Sequence, residues 1–294
     1  MADNKLNKKY TLEEHLRFLS IEDKDYEILY SIWDLNKKNL TQGLSLISSS
    51  FPHYSIHDVS HSMTIIDNIQ CFLGEERIKR LSATDTFLIL MAGLTHDIGM
   101  ILMFNIVEAE WGNDDFKALL EEFANSHDSV VAKSANLLIK IHMNEAKEYL
   151  KDFKWALQVK NAVIILTAEI FRAKHAKQSA NYLRSNETFK QLANNFHAEQ
   201  LPSRFMDLLA NIAFLHGEDF DAVMVKLYQE ANGYKGDYIH PRFIAYMIRL
   251  GDLLDFDNNR FNIYSKAILK EIPETSKLHE QKHASVKHML ISPN

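Results

Sequence analysis

The chain carries a single cysteine, Cys71, in 294 residues. One thiol cannot close an internal disulfide, so the sequence reads as a protein of a reducing, cytoplasmic setting. Glycine and proline are scarce as well, with 9 and 5 copies. So few breakers leave little material for the turns of an all-β fold, and long helices are favoured. No apolar run is long enough to span a bilayer, and residues 1–15 lack an apolar signal core. No membrane partner is expected. Positive charge is not in excess either: 33 Lys and Arg stand against 39 Asp and Glu, a net charge of -6. Proteins that hold nucleic acid by charge show a basic face. Nucleic acid is therefore not an expected partner, although a local basic pocket for one phosphate group stays compatible with that balance.

Histidine is what the chain has in number, with 14 copies. Several fall beside acidic residues or inside apolar helical stretches. The periodicity predicts an all-α protein. Residues 1–20 read as a loose arm or short helix, and 23–48 as an amphipathic helix. Pro52 interrupts, and a helix is expected over 56–72. The next, opening at Ser82 or Thr84, is apolar almost all round and should be buried. Gly99 is placed to end it in a left-handed conformation. Residues 100–157 read as an excursion of two or three shorter helices. Long helices follow over 157–183 and 202–215, and one opens at Pro241. Three units are expected: an N-terminal helical arm over 1–50 packed on the core, a main domain over 51–262 with its insertion at about 100–157, and a polar C-terminal extension over 263–294. The ending MLISPN reads as a boundary rather than a natural terminus. Trp33, Trp111 and Trp155 read as packing residues.

Five places carry candidate chemistry. The buried helix ends in His96-Asp97. An Asp there faces a desolvation cost and the negative end of the helix dipole. No Lys or Arg lies between Leu81 and Phe116, so a bound cation is the nearest remedy. His nitrogen and Asp oxygen suit Mn, Fe, Ni, Zn or Mg. An isolated pair of this kind is more often a capped helix end with an exposed Asp. His57 and His61, spaced i and i+4, would share one helix face; a pair of half-buried histidines reads equally well. Arg172, His175 and Ser179 lie on one stripe, where an Arg fork can clamp two phosphoryl oxygens; a solvated basic face is the plainer alternative. His216 closes an apolar helix. Asp252 interrupts another, next to Gly251, which allows close approach of a backbone or ligand.

Taken together, His61, His96-Asp97, His175, His216 and Asp252 resemble the pattern of the HD superfamily of metal-dependent phosphohydrolases over about 51–260. The HDVSHS segment at 57–62 is similar to the HNxxHA segment of cyclic-nucleotide phosphodiesterases. His96-Asp97-Ile98-Gly99 is similar to the HDIG of bacterial HD-GYP hydrolases. RAKHA at 172–176 and LGDLLD at 250–255 look like a bacterial branch often joined to histidine-kinase-like ATPase modules.

The resemblance implies an HD-domain helical bundle that cleaves a phosphate ester, of a nucleotide or cyclic nucleotide, with metal-activated water. It implies one or two divalent ions, with His61, His96, Asp97 and Asp252 at the first and His175 and His216 at a second that Asp97 bridges. His57 matches the position that protonates the leaving group, and Arg172 would stabilise phosphoryl charge. Met100 stands where HD-GYP enzymes have Lys, which argues against a cyclic-di-GMP substrate. Two other readings stay open: a metal- or nucleotide-binding regulatory module coupled to an ATPase-type partner domain, and a single-strand nuclease. A homo-oligomer is a further expectation. Arg249, Arg260 and Lys174 are weaker candidates for substrate contact, with Lys174 read as a surface residue. His53 could line the pocket. Glu218 and Asp219 read as loop. His15, His127, His142, His197, His240, His279, His283 and His288 read as surface or capping residues.

Overall fold

The computed structural model describes residues 10–55, 57–143, 154–185, 187–188, 201–256, 261, 271–287 and 289–293. Among them, the fold is helical apart from one short antiparallel pairing, β1 (Ala231–Asn232) with β2 (Tyr238–Ile239). The helices are α1 (Leu12–Glu22), α2 (Glu27–Leu44), α3 (Ile47–Ser50), α4 (Val59–Ile78), α5 (Ala83–Thr95), α6 (Phe104–Trp111), α7 (Phe116–Ala124), α8 (Ser129–His142), α9 (Lys154–Arg184), α10 (Ser203–Leu215), α11 (Phe220–Lys226), α12 (Pro241–Leu253) and α13 (Glu274–Ser285). No single helix among the described residues is long and apolar enough to cross a membrane.

The centre of the bundle is α5. All of its residues are buried, as an all-round apolar sequence requires. The Ser82 side chain caps it by accepting from the Asp85 N–H. Helices α1, α2, α4, α10 and α12 pack around it. The N-terminal segment is part of this core: Leu12, Leu16, Leu29, Trp33 and Leu40 join the same apolar cluster. Residues 11–22 are a capped helix rather than a loose arm. Thr11 and Glu14 form a reciprocal capping box, which satisfies two orphan N–H groups at the start of α1. The excursion after residue 100 holds α6, α7 and α8. A separate small cluster (Leu120, Val130, Val131, Ala135, Ile165 and Leu166) packs α7 and α8 on the first half of α9. Trp33 is fully buried, while Trp111 and Trp155 are half-buried.

Two glycines set the spacing around the site. Gly99 does not adopt the left-handed conformation expected of it; among the described residues only Gly74 and Gly236 among glycines have positive φ. It sits in a 3-10 turn, Ile98–Met100, pressed against α9. A Cβ there would lie 2.3 Å from the Ser179 nitrogen and 2.4 Å from the His175 oxygen. Close approach of backbones, not a turn, is what excludes a side chain. Gly251 acts similarly toward α4, where a Cβ would meet the Ile65 oxygen at 2.9 Å. The first contact brings α9 against the turn that follows α5, and the second brings α12 against α4.

Candidate metal centre

Helices α4, α5, α9, α10 and α12 each deliver polar side chains to one point. The Asp58 carboxylate accepts from the Ser60 N–H at 2.8 Å and starts α4 at Val59. His61 therefore occupies the first turn of α4. His57 lies before the helix, not on it as its i,i+4 spacing predicts, because the Asp58 cap ends helical geometry between them. Both rings still face the same cavity, with centroids 5.0 Å apart. His96 and His216 are the C-caps of α5 and α10. His175 stands mid-α9 and Asp252 in the last turn of α12.

Asp97 is the hub, buried, with its two oxygens facing different partners. Oδ2 lies 3.2 Å from His96 Nε2 and 3.4 Å from His61 Nε2. Oδ1 lies 3.4 Å from His175 Nε2 and 3.6 Å from His216 Nε2. Asp252 Oδ1 is 3.4 Å from His61 Nε2, and His57 Nε2 is 3.9 Å from Asp97 Oδ2. The structure thus gathers His57, His61, His96, Asp97, His175, His216 and Asp252 into three overlapping triads: His57, His61 and Asp97; His61, His96 and Asp252; and Asp97, His175 and His216.

The other ring nitrogens show which atoms are free to act. His96 Nδ1 donates to the Gly93 oxygen at 3.0 Å, His175 Nδ1 to Arg172 at 2.7 Å and His216 Nδ1 to Ala213 at 2.6 Å. A carbonyl only accepts, so each Nδ1 carries the proton and each neutral ring leaves a lone pair on Nε2. His61 Nδ1 donates to the Asp255 carboxylate at 2.6 Å. The lone pairs meet: His61 Nε2 and His96 Nε2 are 3.2 Å apart, and His175 Nε2 and His216 Nε2 are 3.1 Å apart. Asp97 Oδ1 is buried with no hydrogen-bond donor among the described residues. Facing lone pairs beside an undonated carboxylate oxygen repel unless a cation sits among them. These buried His/Asp clusters fit divalent metal.

Protonation tells the same story. Burial pushes His96 down, but the Asp97 carboxylate outweighs it and lifts the imidazole to about 9. Burial pushes Asp97 up, and the His96 charge with hydrogen bonds from His61 and His96 holds it well below the usual carboxylate range. Burial takes His216 down to about 4, against the pull of Asp97. Without metal, a proton supplies the positive charge the site calls for.

The cavity beside this cluster has a volume of about 340 Å³. Arg172, Arg249 and Met100 are among the residues that line it. Arg172 stacks over the Tyr54 ring at 4.9 Å, and the Tyr54 hydroxyl donates to Glu169. Ser179, on the Arg172 stripe, does not reach the cavity: its Oγ accepts from the Gly99 N–H at 2.8 Å and ties the Asp97 turn to α9. Lys174 pairs with Glu110 on the surface. Asp219 caps α11, in keeping with a loop role. His53 is buried against Tyr54, at 4.5 Å between rings, and is not among the described cavity-lining residues. Burial, then the Arg172 charge, takes it down to about 4. Arg260, His197 and His288 lie outside the described residues.

Sequence reasoning missed four lining residues. Asp255 stands three positions after Asp252, a spacing that faces both to one side. His279, Lys282 and His283 come from α13, in a segment read as a polar tail. Its inward side is Ser276 and His283 rather than apolar, so hydrophobic periodicity could not show it; the i,i+4 pair His279 and His283 repeats the signal of His57 and His61. Of the histidines read as surface or capping residues, His15 is buried instead and bonds the Leu81 oxygen at 3.0 Å, while half-exposed His240 stands at the N-cap of α12 and pairs with buried Asp85 at 2.7 Å.

The cluster gathers His and Asp donors from five helices at one point where a divalent metal could be held. Searches of curated proteins and of solved structures returned no match. The HD-CE family model matches residues 51–294, which includes every side chain of the metal cluster and α13. The chain belongs to the HD-CE family.

Proposed function

We propose that the protein hydrolyses a phosphate ester, with a nucleotide-type small molecule as substrate. One observation carries the reading: the two oxygens of Asp97 each face a separate pair of histidines whose Nε2 atoms converge. His61, His96, Asp97 and Asp252 would hold one divalent ion, and His175, His216 and Asp97 a second. When bound, such ions (Mn, Fe, Ni, Mg or Zn) supply Lewis acidity that lowers the pKa of water and offsets phosphoryl charge.

The chain's own groups supply the rest. Asp252, half-exposed at the cavity wall, accepts a hydrogen bond from the attacking water and orients it. The water oxygen bonds to phosphorus as the ester P–O bond breaks. His57 has Nδ1 donating to the Ser55 oxygen at 2.7 Å, so it is as an imidazolium that its Nε2–H delivers a proton to the departing oxygen, while the proton of the attacking water passes to the Asp252 carboxylate. Arg172, preoriented on Tyr54, places its guanidinium against phosphoryl oxygens. The net charge of -6 and the compact cavity disfavour a single-strand nuclease. Coupling to an ATPase-type partner domain remains part of the proposal, as do a cytoplasmic setting and self-association.

Asp97→Ala is expected to remove metal binding and turnover together, measured by elemental analysis of the purified chain and a phosphate-release assay with Mn, Ni and Mg. Turnover retained by the variant with metal in place would overturn the assignment.

A further inference from the structure

The cavity is lined by the histidines with Asp97, Asp252 and Asp255, and also by Arg172, Arg249, His279 and Lys282. These cations are not engaged in ion pairs: among the described residues, no carboxylate lies within ion-pair distance of Arg172, Arg249 or Lys282. Arg249 has a buried Nη1 with no hydrogen-bond acceptor among them. A buried guanidinium N–H left without an acceptor is costly and points to an acceptor on a ligand. Arg172 on α9 and Lys282 on α13 lie close enough to His279 for both charges to bear on it. Like charges from two helices are thus gathered at one spot, which is unfavourable unless an anion joins them.

Flat aromatic surface is scarce among the described lining residues. Among the described lining residues the phenol ring of Tyr54 has Arg172 over its face, and the larger apolar side chains are Met100 and Leu253. A site that reads a nucleobase presents flat apolar or aromatic surface. This one presents charge, in about 340 Å³.

We propose that Arg249, His279 and Lys282, beside the Arg172 that meets the group being cleaved, form an anion subsite that takes a second phosphoryl group of the substrate. The substrate class is then a nucleotide with two phosphoryl groups, such as a nucleoside diphosphate whose base stays outside the cavity. The assignment rests on the phosphohydrolase reading for the group held at the histidines. The subsite itself needs no metal.

Calorimetric titration of the full chain tests it in two parts. Stripped of metal, the chain is expected to bind inorganic phosphate, and Arg249→Gln and Lys282→Gln each to weaken that binding at least about tenfold. The surface variant Lys38→Gln is expected to leave it unchanged. Lys282 is exposed, so its variant keeps the test open should Arg249→Gln fail to fold. Loaded with Mn, the chain is expected to bind methylenediphosphonate about a hundredfold tighter than phosphate, because the second group binds intramolecularly. Lys282→Gln should erase most of that gain. Phosphate binding that is absent, or unchanged in both variants, overturns the subsite. So does a diphosphonate that binds no tighter than phosphate. Failure to bind metal or turn over would remove the phosphohydrolase reading and leave the phosphate titration of the stripped chain standing.

Discussion

At the scale of single residues, the site is governed by which nitrogen of each histidine is held. Backbone carbonyls and Asp255 hold Nδ1, so Nε2 is left for the cavity. Asp255 is the one carboxylate in this role, toward His61. Asp255→Asn should keep the ring in place but lower its basicity, weakening metal binding by about 10–100-fold in a metal titration. The proton on His96 competes with metal. The unfolded histidine titrates near 6.5 and the folded, metal-free one near 9. Its stabilisation of the metal-free fold is therefore complete below 6.5 and is lost as pH rises through about 9. Metal binding must expel that proton, so apparent affinity should rise about tenfold per pH unit up to about pH 9 and then level. His216, already neutral above about 4, adds no slope in this range. Metal titrations at successive pH values check this, and a flat profile from pH 6.5 to 9 would contradict the protonated His96.

At the scale of elements, the contact between the Ile98–Met100 turn and α9 sets the distance from Asp97 to His175. Gly99→Ala pushes a methyl into the α9 backbone, which cannot yield as a flexible side chain would. A loss of about 1–3 kcal/mol is expected from overpacking, read as a lower midpoint in urea unfolding. Metal affinity should fall with it, since His175 moves from Asp97. The helices α4, α5, α9, α10 and α12 were legible because their apolar positions recur at helical spacing or fill the whole helix. Helix α1 left a signal as well, Thr11 with Glu14 three positions later, but it begins in a polar stretch where periodicity is faint. Helix α13 has Leu278 as its exposed large apolar residue and buries polar side chains, so no hydrophobic stripe announces it.

At the scale of the whole molecule, ligands drawn from five helices make metal a tie across the bundle. A metal held only by the folded chain stabilises it by about 2.7 kcal/mol at a hundredfold excess over Kd. For a chain of this size that is a rise of roughly 4–5 °C in Tm. Chelation should lower Tm by that much in calorimetry, and Asp97→Ala should show no response to chelator. The C-terminal residues belong to this scale too. Helix α13 supplies one wall of the cavity, and Pro293 packs on Gly74, where a Cβ would meet it at 2.7 Å. The end of the chain is thus returned to α4, the helix that carries His61.

The helical class could be read from the chain alone, and the residues that gather at Asp97 stood out there as candidates. Helical burial follows from apolar spacing, and a His or Asp set into an apolar helix must find a charged or hydrogen-bonding partner wherever the chain folds. His96 and Asp97 therefore marked the site before any geometry was known. Pairing was another matter. Which oxygen of Asp97 faces which histidine, that Asp255 rather than solvent holds His61, and that His279 and Lys282 cross to face Arg172 all depend on helices distant in sequence. Those contacts arise where α9, α12 and α13 meet at the cavity, with close approaches at Gly99 and Gly251, and no local pattern of residue types encodes them.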